Sequence, residues 1–336
     1  MNRDIRRYDE IDIMKGLGII LIILGHLEPS TYLMRFVYSF HLFVFFTCSG
    51  FVGTRYLTRG FRSIICNNIK RLLIPYIVWN ILSQTVDIMC GTINTVQAIN
   101  NILFLNANCG WNAALWFLAS LFWIDSLGAL IIKSIKSYYL QMSICLLFGI
   151  LWIFMWTNKL ILPFGLYTIP AGMIFWFIGY YFNITHTLNY LLHIGNKGLF
   201  YIGFLGGGVN LLGGVAFNKV ISIYHINYYN IPLTIIGGIA GTALIMTVAV
   251  YLNKGCKLRT FIILFGRNTL LVLCTHYFLL RLIGTLGMNF VGYNLWRYTS
   301  TPKSIVFTLL VILFYYSIIP QMTILKEKFV VLKYFI

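Results

Sequence analysis

The sequence predicts an all-α integral-membrane protein, a bundle of about ten transmembrane helices with both termini in the cytoplasm. Three observations carry that expectation. Of 336 residues, 59% are hydrophobic and only 10% charged, with a mean hydropathy of +0.83. No soluble domain of this length buries so much apolar surface, so lipid must be its solvent. The apolar residues also fall into separate runs of the roughly 20 residues that a helix needs to cross a bilayer. The basic residues, finally, collect in alternate connections between those runs, which is the asymmetry that orients membrane helices.

The first expected span, 12–28, carries Lys15 at its base and His26 near its end. It lacks an A-x-A-like cleavage site and more apolar runs follow it, so it reads as a retained helix rather than a signal peptide. Glu28-Pro29-Ser30-Thr31 forms a polar turn into the second span, 33–53, which contains His41 and exits through Ser49-Gly50. The third, 71–90, follows the most basic stretch of the chain, with Arg55, Arg59, Arg62, Lys70 and Arg71. The fourth, 113–133, starts at an aromatic boundary of Trp111 and Trp116 and encloses Asp125, the only acid expected inside a helix core apart from the base of the first helix. Spans 138–156 and 168–184 are uncharged apolar runs. Spans 197–217 and 231–252 carry Gly203-x-x-x-Gly207 and Gly237-x-x-x-Gly241, small faces suited to close helix packing. The glycine-rich GGGVNLLGG has no lysine where a phosphate-binding loop requires one. Spans 260–283, with His276, and 304–325 complete the set.

With the N-terminus inside, 19 of the 25 lysines and arginines fall on the cytoplasmic side and 6 outside. The net charge of +17 would suggest nucleic acid in a soluble protein; here it places basic loops against an anionic leaflet, so the expected partners are membrane lipids. Seven scattered cysteines, without a CxxC or a His/Cys cluster, predict neither a disulfide framework nor a metal site. The long outer loop 91–112 has no basic residue, and its Asn, Gln and Thr suit either sugar hydroxyls or a plain polar connector. No linker or repeat divides the chain, so residues 1–336 read as a single domain.

Ionisable groups inside a membrane segment are costly and mark function by default. Eleven residues of helix advance about 16 Å in nearly three whole turns, so Lys15 and His26 share one face. On helical geometry His26 lies about 20 Å, and His41 about 18 Å, above the cytoplasmic edge of a roughly 30 Å core. Lys15 and Ser49 likewise meet near that edge. The expectation is a site of two tiers, a charged inner mouth and a histidine floor. Histidine takes a proton from a hydroxyl near neutral pH, although each of these could instead be a packing residue bonded to a backbone carbonyl. Asp125 suits a structural ion pair or a catalytic role, and Asp12 can pair with Lys15 three residues on. The basic loop suits lipid headgroups or a phosphate clamp. His276 is a further candidate; His186, His193 and His225 fall in loops and carry no expected role.

Residues 8–50 resemble the acyltransferase 3 family of integral-membrane acyltransferases. Its first helix carries a basic residue, ten intervening residues and a histidine, here Lys15 to His26. His41 with Phe45-Phe46 and Ser49-Gly50 is similar to its second motif. Lys70-Arg71 running into Pro75-Tyr76, Trp116-Phe117-Leu118, and Gly266-Arg267-Asn268-Thr269 ahead of His276 resemble its later segments. Lys15 stands where many members have arginine, and the proline common after the second histidine is missing. Without an appended domain, the chain looks most like the fucose 4-O-acetylase branch and other polysaccharide O-acetyltransferases. The resemblance implies a bacterial inner-membrane enzyme with no tightly bound cofactor. It would take acetyl-CoA, or another acyl-CoA, as co-substrate from the cytoplasm and acylate a hydroxyl of a glycan or lipid-linked glycan. His26 and His41 would be catalytic, while Lys15, Arg59, Arg62 and Arg71 would hold the donor phosphates. Some relatives are membrane domains assigned to solute movement or polysaccharide export, so a proton-coupled transporter is the rival expectation. A non-catalytic subunit of an envelope complex is a third.

Overall fold

A computed structural model describes residues 7–104, 108–223, 225–291 and 300–328. The cations Arg3, Arg6, Arg297 and Lys333, and residues 105–107 of the long polar loop, lie outside the described residues. The described residues are mainly helical: α1 Asp9–His26, α2 Thr31–Tyr38, α3 His41–Val52, α4 Phe61–Asn68, α5 Ile74–Met89, α6 Thr95–Leu103, α7 Trp116–Ser134, α8 Tyr138–Thr157, α9 Ile169–Ile184, α10 Thr187–His193, α11 Asn196–Asn210, α12 Ile231–Asn253, α13 Arg259–Arg267, α14 Thr269–Val291 and α15 Thr301–Lys328. Among the described residues the only strand-like pairing is an isolated bridge between Ser222 and Asn227.

Local sequence explains several of these boundaries. Pro75, Pro170 and Pro232 sit in the first turns of α5, α9 and α12, where a missing N–H leaves no helical bond unmade. Asn230 caps α12 by accepting from the Leu233 N–H at 3.0 Å. Asn94 and Gln97 close a reciprocal capping box on α6, each accepting from the other's backbone N–H.

Among the described residues, eight helical runs are long and apolar enough to cross a membrane: Thr31–Thr58, Phe61–Met89, Ala113–Ser134, Tyr138–Thr157, Asn196–Ala216, Ile231–Asn253, Thr269–Asn289 and Thr301–Lys326. The other two expected spans exist as α1 and α9 but fall short of that measure. The first turns of α1 carry Asp9, Glu10, Asp12 and Lys15, and α9 has only 16 residues. The expected ten is therefore eight by length and composition. The two exceptions are central helices, in which protein rather than lipid meets much of the surface. α3 packs most extensively on α9, and α1 lies against α13, α12 and α3. Phe43 stacks on Phe175 with ring centres 4.0 Å apart, and Trp176 is fully buried beside them. The crossing of α3 and α9 is tight enough that a Cβ on Gly50 would run into the Trp176 backbone, and one on Gly179 into that of Thr47. Large apolar side chains meanwhile cover the outward faces of α8, α11 and α15, including Leu146, Phe204 and Leu313. Such a surface needs a lipid solvent, and the chain is a multi-pass membrane protein.

Two expectations need correction. The second span is not one straight helix: it breaks at Ser39-Phe40, between α2 and α3. The Ser39 hydroxyl donates to Phe36 O at 2.7 Å and receives Asn210 Nδ2 at 2.8 Å, so a neighbouring helix holds the break. The glycine faces do allow close packing, with α11 lying against α12. Gly203 and Gly207 face α12 side chains, but Gly206 makes the closest backbone approach, to Ala240, while Gly241 faces Phe40. Asp125 is also not alone as a buried helical acid outside α1, because Asp87 in α5 is 5% exposed and accepts from the Thr92 hydroxyl at 3.0 Å.

Candidate functional site

α1 runs past two cavities, each of about 340 Å³. Lys15 and Ile19 line the first, at the N-terminal end of α1; Ile22 and His26 line the second, at its C-terminal end. These four residues recur at helical spacing on one face, as the sequence requires.

The first is a basic cavity. Asp12, Lys15, Ser49, Arg71, Arg267 and Asn268, all expected, line it together with Arg7 and Lys326. A second opening of about 340 Å³ joins it at Arg7, Asp12 and Lys15 and adds Tyr8 and Arg55. Asp12 does not pair with Lys15. It accepts from Arg7 Nε at 2.7 Å and from Arg267 Nε at 3.3 Å, and Arg267 also reaches Asp9 at 3.2 Å. Among the described residues Lys15 forms no hydrogen bond or ion pair, which leaves its ammonium to the cavity. Arg59 and Arg62 line neither cavity; both are exposed, and the Arg59 carbonyl accepts from Lys133 Nζ at 2.6 Å.

Asp125 sits behind the basic cavity, fully buried, and takes three donors: Arg71 Nη2 at 2.7 Å, Trp176 Nε1 at 3.1 Å and the Ser49 hydroxyl. Of the two readings open in the sequence, the ion pair is formed. Arg71 thus gives one face to Asp125 and the other to the cavity.

The second cavity is a histidine chamber. His26, His41 and Trp116 line it as expected, together with Glu28, Tyr38, His225 and Tyr277. His225, a loop residue with no expected role, thus lies at the chamber. His41 opens α3, and its Nδ1 donates to Val37 O at 2.8 Å across the break. A carbonyl only accepts, so Nδ1 carries the proton and the His41 Nε2 lone pair is bare. His276 does not line the chamber but lies behind His26, with ring centres 5.3 Å apart. Tyr277 meets the His26 ring edge-on at 4.8 Å. Phe117 and Leu273 line both cavities and form the septum between them.

Sequence reasoning missed Arg7, Lys326, Glu28, Tyr38, Tyr277 and the septum. Tyr38 and Tyr277 carried a signal, since one lies three residues before His41 and the other directly after His276. Lys326 carried none: it reaches the cavity from the far end of the chain.

The arrangement offers cations in one cavity and proton acceptors in the other, parted by two apolar side chains. A protein-family profile described as an acyltransferase domain matches residues 8–325. No curated protein and no solved structure gives a significant match.

Proposed function

The chain belongs to this acyltransferase family, and from that premise we propose that it is an O-acyltransferase joining a cytoplasmic acyl donor to a hydroxyl acceptor across the septum. The observation that carries the reading is the single face of α1, with an unpaired Lys15 in the basic cavity and His26 in the histidine chamber. The donor is an acyl-CoA, acetyl-CoA first, its phosphates held by Lys15, Arg7 and the exposed side of Arg71. Arg59 and Arg62 attract it from the surface. Its thioester extends between Phe117 and Leu273. The acceptor is a glycan or lipid-linked glycan whose sugar lies in the chamber, where Trp116 gives a flat apolar surface and Glu28, Tyr38 and Tyr277 give polar groups. The resemblance to polysaccharide O-acetyltransferases and to a bacterial inner-membrane location supports that choice.

In the reaction His26 takes the proton from the acceptor hydroxyl as the oxygen attacks the thioester carbonyl. The acyl–oxygen bond forms, the carbon–sulfur bond breaks, and the thiolate leaves with the proton that His26 returns. His41, with its bare Nε2, shares the chamber and orients the hydroxyl. The test is transfer of label from acetyl-CoA to envelope glycan fractions in membranes containing the chain. Labelled glycan is the expected result, and its absence with every hydroxyl acceptor offered would defeat the reading.

Two further results are expected. Lys15→Ala should raise the Michaelis constant for the donor more than that for the acceptor, because it removes a cavity cation that has no hydrogen-bond or ion-pair partner among the described residues. A donor constant equal to wild type would remove Lys15 from the binding site. Reporter fusions should place both termini and the segments around 60 and 255 in the cytoplasm, in keeping with the 19-to-6 basic asymmetry. A tag inserted after Gly91 should be labelled from outside, and a cytoplasmic tag there would overturn the orientation.

A further inference from the structure

Resting on the reading of His26 as the base, we propose that His276 is a positioning residue: its Nε2 accepts a hydrogen bond from the His26 imidazole and so turns the proton-accepting nitrogen of His26 toward the acceptor hydroxyl. His276 is 0% exposed and lines neither cavity, so it cannot touch a substrate. Its Nδ1 donates to Val272 O at 2.8 Å and lies 3.1 Å from Leu273 O. Both acceptors belong to α14 itself, so this bond fixes the ring without tethering the helix to anything else. Because carbonyls only accept, Nδ1 holds the proton and Nε2 presents a lone pair. That Nε2 is buried with no partner among the described residues. A buried acceptor left bare is costly, and where one persists it calls for an explanation.

The group in front of it is His26. Two imidazoles joined by an N–H···N bond have centres roughly 5 Å apart. The two rings here are 5.3 Å apart and tilted by 34°. Among the described residues His26 makes ring contacts with His276 and Tyr277 but no hydrogen bond, so none of them sets its tautomer yet. A small rotation closes the bridge, and hydrogen bonds of this kind commonly tighten only when substrate is bound. Once formed, it assigns the His26 proton to the nitrogen facing His276 and leaves the other as the base. When His26 takes the hydroxyl proton it becomes an imidazolium in a buried site, and the bond to Nε2 becomes charge-assisted and stronger. The help is therefore greatest in the transition state and appears in turnover rather than in binding.

Three variants of the full-length protein in membranes separate this role from packing. His276→Gln extends an amide to the Nε2 position and should keep most activity. His276→Asn can still bond the helix carbonyl but stops short of Nε2, and His276→Leu loses both. These two should lower apparent turnover with acetyl-CoA about 10- to 100-fold, with donor and acceptor Michaelis constants near wild type. In a His26→Ala background the same changes should cost nothing further, because His276 acts only through His26. Wild-type turnover in His276→Asn, equal losses in Asn and Gln, or a loss that persists in the His26→Ala background would each overturn the proposal. Asn and Gln keep a polar side chain at the site, so the comparison stands even where the leucine variant fails to fold. A wild-type chain that transfers no acyl group, or a His26→Ala chain that transfers it normally, would defeat the function proposed above as well. Those results are distinct from normal His276 variants of an enzyme that needs His26.

Discussion

His26→Ala is expected to lower acyl-transfer turnover by about 10²–10⁴-fold while donor binding survives. The size follows from removing a base that accepts the hydroxyl proton in the transition state. The survival of binding follows from geometry, because His26 lines the histidine chamber and Lys15 lines the basic cavity on the other side of Phe117 and Leu273. Titrating acetyl-CoA against both proteins and measuring initial rates in the same membranes checks the two halves separately. His41→Ala should also be impaired, and the double variant should be little worse than His26→Ala alone, since groups that act on one hydroxyl are not additive. Fully additive losses would place the two histidines in different steps. The rival carrier gives a different pattern. Its wild type would transfer no acyl group, and His26→Ala would abolish pH-driven solute movement instead.

The second large effect concerns stability. Asp125→Ala is expected to destabilise the protein by about 3–5 kcal/mol, the range for removing one partner of a buried ion pair. The carboxylate of α7 gathers Arg71 ahead of α5, Ser49 of α3 and Trp176 of α9 around one point. Its loss leaves the buried indole N–H and the hydroxyl without an acceptor, and each orphaned group adds its own desolvation cost. Arg71 is 43% exposed in its side chain and can turn to the cavity, so its part of the loss is smaller than for a sealed pair. Asp125→Asn should lose less than Asp125→Ala, because the amide oxygen still accepts from Trp176. Thermal unfolding in detergent, followed by retention of the monodisperse peak, ranks the variants. A wild-type midpoint for Asp125→Ala would show that the gathered segments hold without it. Arg71→Ala should lose stability and donor affinity together, since it serves Asp125 and the cavity at once.

What the sequence by itself determined is the part that depends on local spacing and on solvent. Its apolar runs specify helices in lipid, and a spacing of 11 from Lys15 to His26 puts both on one face whatever surrounds them. The rise per residue also placed His26 level with His41 and Lys15 level with Ser49, and each pair meets in one cavity. α1 and α9 fall short of a membrane-crossing helix, one by its charged first turns and the other by its length, because helices enclosed by other helices need neither the length nor the apolar surface that lipid demands. Choice of partner belonged to the tertiary structure alone. Asp125 could have met several cations, and packing chose Arg71, 54 residues away. Asp12 took Arg7 and Arg267, which left Lys15 unpaired, although helical spacing favoured Lys15. Arg59 and Arg62 have the composition of a phosphate clamp yet line neither cavity, while Lys326 arrives from α15. The break at Ser39-Phe40, which lets the His41 ring bond back to Val37, depends on Asn210, 171 residues further on. Helical periodicity tells which residues share a face; only the packing of helices distant in sequence decides what that face meets, because a buried polar group takes whichever partner the closed bundle brings within bonding distance.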